Sequence, residues 1–470
     1  MTRPNILFVM SDDHAAHAIG AYGSVVNATP QIDRIAAGGV RVDNAFCTNA
    51  LCAPSRAAIL TGTYNHVNGV TTLPTDLDNS QPTFVSALHD AGYATAIVGK
   101  WHLGHGPRHD PRGFDSWTVL PDQGEYHDPT FLDNGVERVI RGYVTDVTTD
   151  LALDWLDTVP AGQPFCLMVH HKAPHRPWEP DAAHAHLYDD VDIPVPDTFF
   201  DDYAGRAEAA RTATMRVSRD LTATDLKQPV PAGLSAADEA RWKYQRYLKD
   251  YLRCVASVDD NVGRLLDELD ARGLTDDTIV VYTSDQGFFL GDHGWYDKRF
   301  MYEESLRMPL LVRYPREIAP GTATGTMVSN VDFAQTFLDY AGVPAPDRMQ
   351  GRSLRGVLAG DTPPDWREVH YYRYWEHGSR PHHVRAHYGI RTPRYKLIFY
   401  YSDGLGLPGT SDERFAPEWE LFDLTTDPRE LHSVYDDPAY AGVRVELTEL
   451  LATVQREVGD DPWQEPDGVG

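Results

Sequence analysis

Two short, unbroken apolar runs, Ile6 to Met10 and Thr278 to Thr283, lie far apart in the chain and end alike. The first runs into Ser11-Asp12-Asp13 and the second into Ser284-Asp285-Gln286. Apolar runs without polar alternation suit strands covered on both faces, and sheets of such strands need helices on either side. Ligands in open α/β sheets collect at the carboxyl ends of the strands. The pattern therefore predicts an α/β fold with both acidic ends at one edge of the sheet. Neighbouring residues on an extended strand point to opposite faces, so Asp12 and Asp13 can meet one ion only if the backbone turns there. A solvated Asp-Asp turn is the plain alternative. With Asp285 and the Gln286 amide oxygen, the two acids would make the hard, oxygen-only shell that calcium takes in flexible geometry. Magnesium is the second choice, and zinc would want more His or Cys at these positions.

The remaining punctuation supports the same class. Thr29-Pro30 opens a helix that Gly38-Gly39 stops before the strand-like Val40 to Phe46. Thr83 caps a helix ahead of Gly92, and Ala94 to Val98 and Pro164 to Val169 read as strands. Thr145 to Asp157 reads as an amphipathic helix with Leu151, Leu153, Trp155 and Leu156 inward. Residues 181 to 234, rich in Asp and Pro, read as a surface insertion. From Ser235 to Gly273, apolar residues from Tyr244 to Leu269 recur at three- and four-residue steps, a helix whose aromatic stripe is core packing. Met308 to Val312 reads as a strand and Asp332 to Ala341 as a helix. The composition shifts near Gly360 to Pro364, dividing residues 1–362 from 363–470. Beyond it, Tyr388 to Ile390, Tyr395 to Tyr401 and Trp419 to Leu424 read as a small antiparallel sheet, closed by a helix over Val443 to Val458.

Charge narrows the partners. With 42 Lys and Arg against 69 Asp and Glu, the net charge of −27 speaks against nucleic acid or an anionic membrane. Short anionic fragments entering a basic pocket remain compatible, since screening confines repulsion to about 8–10 Å. Cys47, Cys52, Cys166 and Cys254 form no C-x-x-C pair and read as free thiols. The opening Met1-Thr2-Arg3-Pro4 reaches Ser11 after too short an apolar run for a signal peptide, which predicts a cytoplasmic protein.

Such a pocket has candidates. Pro54 suits the first turn of a helix that Gly62 can stop, which puts Cys52 at a helix N-terminus, where an anion is favoured. A small buried thiol is the bland reading. Lys100 and His102 share one face if extended, and His170-His171-Lys172-Ala173-Pro174-His175 is a dense basic loop at a strand end.

Taken together, these strings resemble the type I sulfatases. Cys52-x-Pro54-Ser55-Arg56 with Leu60-Thr61-Gly62 is similar to the motif whose Cys a maturation enzyme oxidises to Cα-formylglycine. Pro4-Asn5-Ile6 ahead of Asp12-Asp13, Gly99-Lys100-Trp101-His102-Leu103-Gly104, Lys172-Ala173-Pro174-His175, and Asp285-Gln286-Gly287 leading to Asp297-Lys298-Arg299 are similar to its site blocks. The resemblance implies an alkaline-phosphatase-like fold: a large mixed, mostly parallel sheet flanked by helices, plus a small C-terminal α+β subdomain. It implies calcium on Asp12, Asp13, Asp285, Gln286 and position 52, with Arg56, Lys100, His102, His175 and Lys298 as catalytic residues. His175 and Lys298 would also hold the substrate sulfate. Gln286 departs from the family's usual Asn or His.

The block from Asp285 to Ser305 looks most like bacterial sulfatases of sulfated sugars, N-acetylglucosamine-6-sulfatases among them. His382, His383, His387 and Arg391 would then be sugar-binding candidates, with a structural role as the alternative, and a homo-oligomer is left open. His105, His109, His170, His171 and His293 receive no catalytic role. Two alternatives stand: a phosphate or phosphonate monoester hydrolase of the same fold, and a sugar-sulfate binding protein whose Cys52 stays unmodified.

Overall fold

A computed structural model describes residues 3–465; Met1, Thr2 and residues 466–470 lie outside the described part. In chain order the strands are β1 (Asn5–Ser11), β2 (Val40–Phe46), β3 (Ala94–Lys100), β4 (Ser116–Leu120), β5 (Thr130–Asp133), β6 (Val136–Val139), β7 (Phe165–His170) and β8 (Thr278–Ser284). A two-residue ribbon, β9 (Phe289–Leu290) and β10 (Tyr296–Asp297), precedes β11 (Leu310–Arg313) and β12 (Thr322–Ser329). Ten of these form one sheet in the order β12-β2-β11-β8-β1-β7-β3-β4-β5-β6. The middle strands β8, β1, β7, β3 and β4 run parallel, while β11, β5 and β6 are antiparallel to their neighbours.

Every residue of β1, β3, β7 and β8 is buried. Their side chains divide between two layers. Ile6, Phe8 and Met10 pack with Ala53, Ala57, Phe333 and Phe337 on one face, and Leu7 and Val9 with Tyr251, Val255 and Val258 on the other. The second face is covered by three helices, Pro30–Ala37, Val144–Leu156 and the longest, Ala236–Ala271, of 36 residues and about 54 Å. Ser235 caps it by accepting from the Asp238 N–H.

The small sheet adds β13 (His370–Tyr374), β14 (His387–Arg391), β15 (Tyr395–Tyr400) and β16 (Glu418–Asp423), all antiparallel. Alternation along these strands gives it two apolar faces. Tyr372, Tyr374, Ile398, Tyr400 and Phe422 join the buried cluster of the large sheet. Tyr371, Tyr388, Ile390, Leu397 and Leu421 pack under Leu447 and Leu451 of the closing helix Ala441–Val458. No described helix is long and apolar enough to cross a membrane.

Three sequence expectations change. Residues 181–234 are not a surface insertion: Ile193, Phe199, Tyr203, Met215, Val217 and Leu226 are buried, so the segment is an irregular inner connection. The helix expected from Thr145 runs Val144–Leu156, and its buried face is Val144, Val147, Thr148, Ala152 and Leu156, leaving Leu151, Leu153 and Trp155 half-buried. Strands β4, β5, β6, β12 and β13 were not expected; β6 is exposed at all four residues and so carries no apolar signal.

Candidate functional site

The site forms where β1, β3, β7 and β8 end. β1 stops at Ser11, and Asp13 takes φ of 68°, the turn needed for both acids to face one point. Tyr251 of the long helix fixes this turn, donating to the Asp13 carbonyl at 2.8 Å and accepting from the Ala15 N–H at 2.9 Å. The Asp13 N–H donates to Asp285 Oδ1 at 3.2 Å, joining the ends of β1 and β8. Gly99, with φ of 103°, passes so close to β7 that a Cβ would collide with the His170 carbonyl, and it delivers Lys100 into the cluster.

Cys52 is the first residue of the helix Cys52–Thr61, after Leu51 in extended geometry, so its side chain sits at the positive helix end. The helix is bolted to β8: Ser55 Oγ donates to the Asp285 carbonyl and accepts from Asn330 Nδ2. Cys52 Sγ lies 3.3 Å from Asp12 Oδ1 and 3.5 Å from Lys298 Nζ. Lys298 Nζ and Gln286 Nε2 both donate to Asp13 Oδ1 at 2.5 Å. Arg56, 1 % exposed, donates Nε and Nη2 to Asp285 Oδ2 at 3.0 and 2.9 Å, and Nη1 to the Lys100 carbonyl at 2.8 Å. Lys100 pairs with Asp12 and with Gln123 Oε1, and Gln123 Nε2 meets His102 Nε2 at 3.3 Å. His175 Nε2 lies 3.7 Å from Asp13 Oδ2, while its Nδ1 bonds the Arg176 carbonyl at 2.8 Å.

Three carboxylates and three cations, Arg56, Lys100 and Lys298, are thus buried side by side. Burial works against charge on Asp12, yet Lys100, then His175, Arg56 and Lys298, hold it well below the usual carboxylate range. Asp13 goes the other way: burial pushes it up to about 7 against Lys298, with Asp12, Asp285 and Asp297 adding to the rise. Burial and Asp12 raise Asp285 against Arg56. Burial and Asp12 also push the Cys52 thiol up. Lys298 is kept well above its ordinary value because Asp13 and Cys52 outweigh the effect of burial. Burial and Lys100 hold His102 and His175 neutral.

The oxygens fit a hard divalent cation. Asp12, Asp13 and Asp285 place carboxylate oxygens within 4.8 Å of one another. Two buried acceptors, Asp13 Oδ2 and Gln286 Oε1, have no hydrogen-bond partner among the described residues. A cation there would satisfy both and relieve the mutual repulsion that raises Asp13 and Asp285.

The structure therefore brings Cys52, Arg56, Lys100, His102, His175, Lys298, Asp12, Asp13, Asp285 and Gln286 into one cluster. It does not bring the sugar-binding candidates there by direct contact. His387 and Arg391 share the face of β14 turned to the large domain. His387 is fully enclosed, with ring contacts to Tyr372, Tyr374, Tyr400 and Phe300, and has no surface to offer a sugar. Arg391 is engaged by Glu303 and lies over Phe46. His383 bonds Thr214 on the outside. Its neighbour His382 is the one that turns inward, 3.0 Å from Asp297 Oδ2. Gln123, Tyr251 and Asp297 are site residues that the sequence reading missed. Of the unassigned histidines, His170 takes part through Arg56 and the Lys100 carbonyl, and His293 pairs with Asp201.

Burial holds the His387 imidazole down at about 4, against an ordinary 6.5. The unfolded chain takes up this proton below pH 6.5 and the folded chain only near 4. The group's contribution to stability is thus whole above pH 6.5 and is lost as pH falls between those values, at about 1.4 kcal/mol per pH unit. In urea unfolding at pH 7 and 4.5, the stability gap between wild type and His387→Gln is expected to move by about 2–3 kcal/mol in the variant's favour at the lower pH. A gap that stays constant would mean that His387 titrates normally.

The family described as Sulfatase matches residues 4–343, and that described as N-sulphoglucosamine sulphohydrolase, C-terminal, matches residues 291–457. An N-acetylglucosamine-6-O-sulfatase of Bacteroides thetaiotaomicron is 42% identical over 99% of this chain and 89% of its own length. The human N-acetylglucosamine-6-sulfatase is 30% identical over 78% of this chain and 66% of its own. A solved structure of a protein in complex with its substrate D-glucosamine-2-N,6-O-disulfate superimposes with a TM-score of 0.90, at 42% identity over 98% of this chain and 99% of that one. A phosphonate monoester hydrolase from Silicibacter pomeroyi shares the fold, with a TM-score of 0.75 at 23% identity over 96% of this chain and 95% of that one.

Proposed function

The chain belongs to the sulfatase family and is a sulfuric ester hydrolase, and from that footing we propose that it removes the 6-sulfate of N-acetylglucosamine or a related glycan fragment. The reading rests on the 42% identity to an N-acetylglucosamine-6-O-sulfatase along nearly the whole chain. Position 52, held against Asp12 and Lys298, is the proposed centre of the reaction.

In this reading a maturation enzyme converts Cys52 to formylglycine. Because the thiol is 1 % exposed, that enzyme must act before this fold closes. The hydrated aldehyde supplies two hydroxyls on one carbon, one to attack sulfur and one whose proton is lost as sulfate departs. Asp12, Asp13, Asp285, Gln286 and position 52 would hold a calcium ion, which would supply positive charge to the transferring group. The chain's own residues do the rest. Arg56 keeps Asp285 in place and ionised, Lys100 does the same for Asp12, and Lys298 presents its ammonium to position 52 and the sulfate. His102, neutral and steadied by Gln123, is placed to take and return the proton at position 52. His175 sits against the sulfate, and the leaving-group oxygen receives its proton from Lys298 on the same side of the site.

Assays of sulfated monosaccharides should give fastest turnover on the 6-sulfate of N-acetylglucosamine, and aryl sulfate should outrun aryl phosphate. Faster phosphate or phosphonate cleavage would favour the rival hydrolase, and a Cys52 peptide of unmodified mass in protein matured in its own host would favour the binding-protein reading. Calcium at 100 times its Kd should stabilise the fold by about 2.7 kcal/mol, removed by a chelator and restored less well by magnesium. Melting curves that ignore chelator would exclude a bound cation.

A further inference from the structure

We propose that the unconverted protein, with Cys52 still a thiol, carries a second metal site, for zinc, formed by Cys52 Sγ, His175 Nε2 and a carboxylate oxygen of Asp12. These three ligand atoms lie within 4.8 Å of one another, and Sγ is 3.3 Å from Asp12 Oδ1. Tetrahedral zinc, at about 2.3 Å from sulfur and 2.0–2.1 Å from nitrogen or oxygen, holds its ligand atoms roughly 3.3–3.8 Å apart. Sub-ångström movements of the three side chains therefore close the site.

The imidazole is already set for it. His175 Nδ1 bonds the Arg176 carbonyl at 2.8 Å, which makes Nδ1 the protonated nitrogen and leaves the Nε2 lone pair turned to the carboxylates, 3.7 Å from Asp13 Oδ2 and within reach of Asp12 and Cys52. Arg176 is fixed in turn by Asp225, through Nε at 3.1 Å and Nη2 at 2.6 Å. A backbone carbonyl behind a histidine ligand is the arrangement that orients metal-binding imidazoles.

Donor chemistry separates this site from the carboxylate set. Sulfur and imidazole are the borderline-soft donors that zinc takes and calcium refuses, whereas Asp13, Asp285 and Gln286 offer only oxygen. Asp12 belongs to both groups, and position 52 joins the calcium set only once its sulfur has been replaced by oxygen. As the zinc–sulfur bond forms, the thiol proton passes to solvent and no atom changes oxidation state. Lys298, 3.5 Å from Sγ, and Lys100, paired with Asp12, oppose the metal and set its affinity below that of an all-thiolate site. Conversion of Cys52 removes the sulfur and erases the site. Zinc therefore distinguishes unmatured from matured molecules whatever ester the mature protein cleaves.

The test uses full-length protein made without the maturation enzyme, its Cys52 thiol verified by mass and its carboxylate site saturated with calcium. Cobalt(II) is titrated in as the probe, followed by zinc. The expected result is a sulfur-to-cobalt charge-transfer absorption that saturates at one equivalent and is abolished by equimolar zinc. It should be absent in Cys52→Ser, which keeps the buried Cys47, Cys166 and Cys254, and at least about tenfold weaker in affinity in His175→Ala. No such absorption, an equal one in Cys52→Ser, or unchanged affinity in His175→Ala overturns the site. Should a variant fail to fold, the fully converted protein serves instead: a charge-transfer band that persists there is equally fatal.

Discussion

Replacing Cys52 by Ala is expected to lower kcat/KM on the preferred sulfated sugar by about 10⁴-fold or more, the scale on which loss of a nucleophile acts. Ala has the highest intrinsic helix propensity, and the bolt from Ser55 to the Asp285 carbonyl and Asn330 does not involve Cys52. The fold should therefore survive, with calcium still raising the melting temperature, because the carboxylate oxygens of Asp12, Asp13 and Asp285 remain. A Cys52→Ala protein that turns over at more than a tenth of the wild-type rate would remove position 52 from the chemistry. One that fails to fold would make Cys52 a packing residue instead. Steady-state kinetics with a parallel melting curve separates the three results.

Arg56→Ala should be the costliest single change to stability in the site, about 3–5 kcal/mol, because it leaves Asp285 buried and unpaired. The guanidinium is almost wholly enclosed, and each of its three nitrogens is used, on Asp285, on the Lys100 carbonyl and near Asp12. It thereby links the ends of β8, β3 and β1. Arg56→Lys keeps a charge but cannot reach Asp285 and the Lys100 carbonyl together, so it should recover only part of the loss. Urea unfolding of the three proteins measures both effects. A loss under about 1 kcal/mol for Arg56→Ala would mean that Asp285 finds another partner or becomes neutral.

The parts of this architecture legible in the sequence were those under strong local constraint. The unbroken apolar runs of β1 and β8, the capped helix from Ser235 and the helix start at Cys52 each carry a signal set by neighbours in the chain. The need for a turn at Asp12-Asp13 followed from strand geometry, and Asp13 supplies it with its positive φ. Other residues gain their roles only from distant approach. Tyr251 looked like one more aromatic in a core stripe, yet its hydroxyl sets the Asp13 turn. Gln123 lies in a loop without a motif and matters because β3 and β4 lie side by side. His387 and His382 were indistinguishable by composition; which one faces Asp297 depends on the register of the small sheet.

The outer rim of the large sheet bears on how copies of this molecule meet. At β6 the side chains of Val136, Glu137, Arg138 and Val139 all face water, an open ladder of the sort that invites another strand. Two molecules joined there across a twofold axis must set residues of equal parity opposite one another. The registers that overlap most of the strand then put Glu137 against Glu137 or Arg138 against Arg138. Repulsion at the middle of the seam spoils either pairing. Twofold fusion of sheets is thereby discouraged where the backbone is barest, and two central charges guard an edge that its valines alone would leave adhesive.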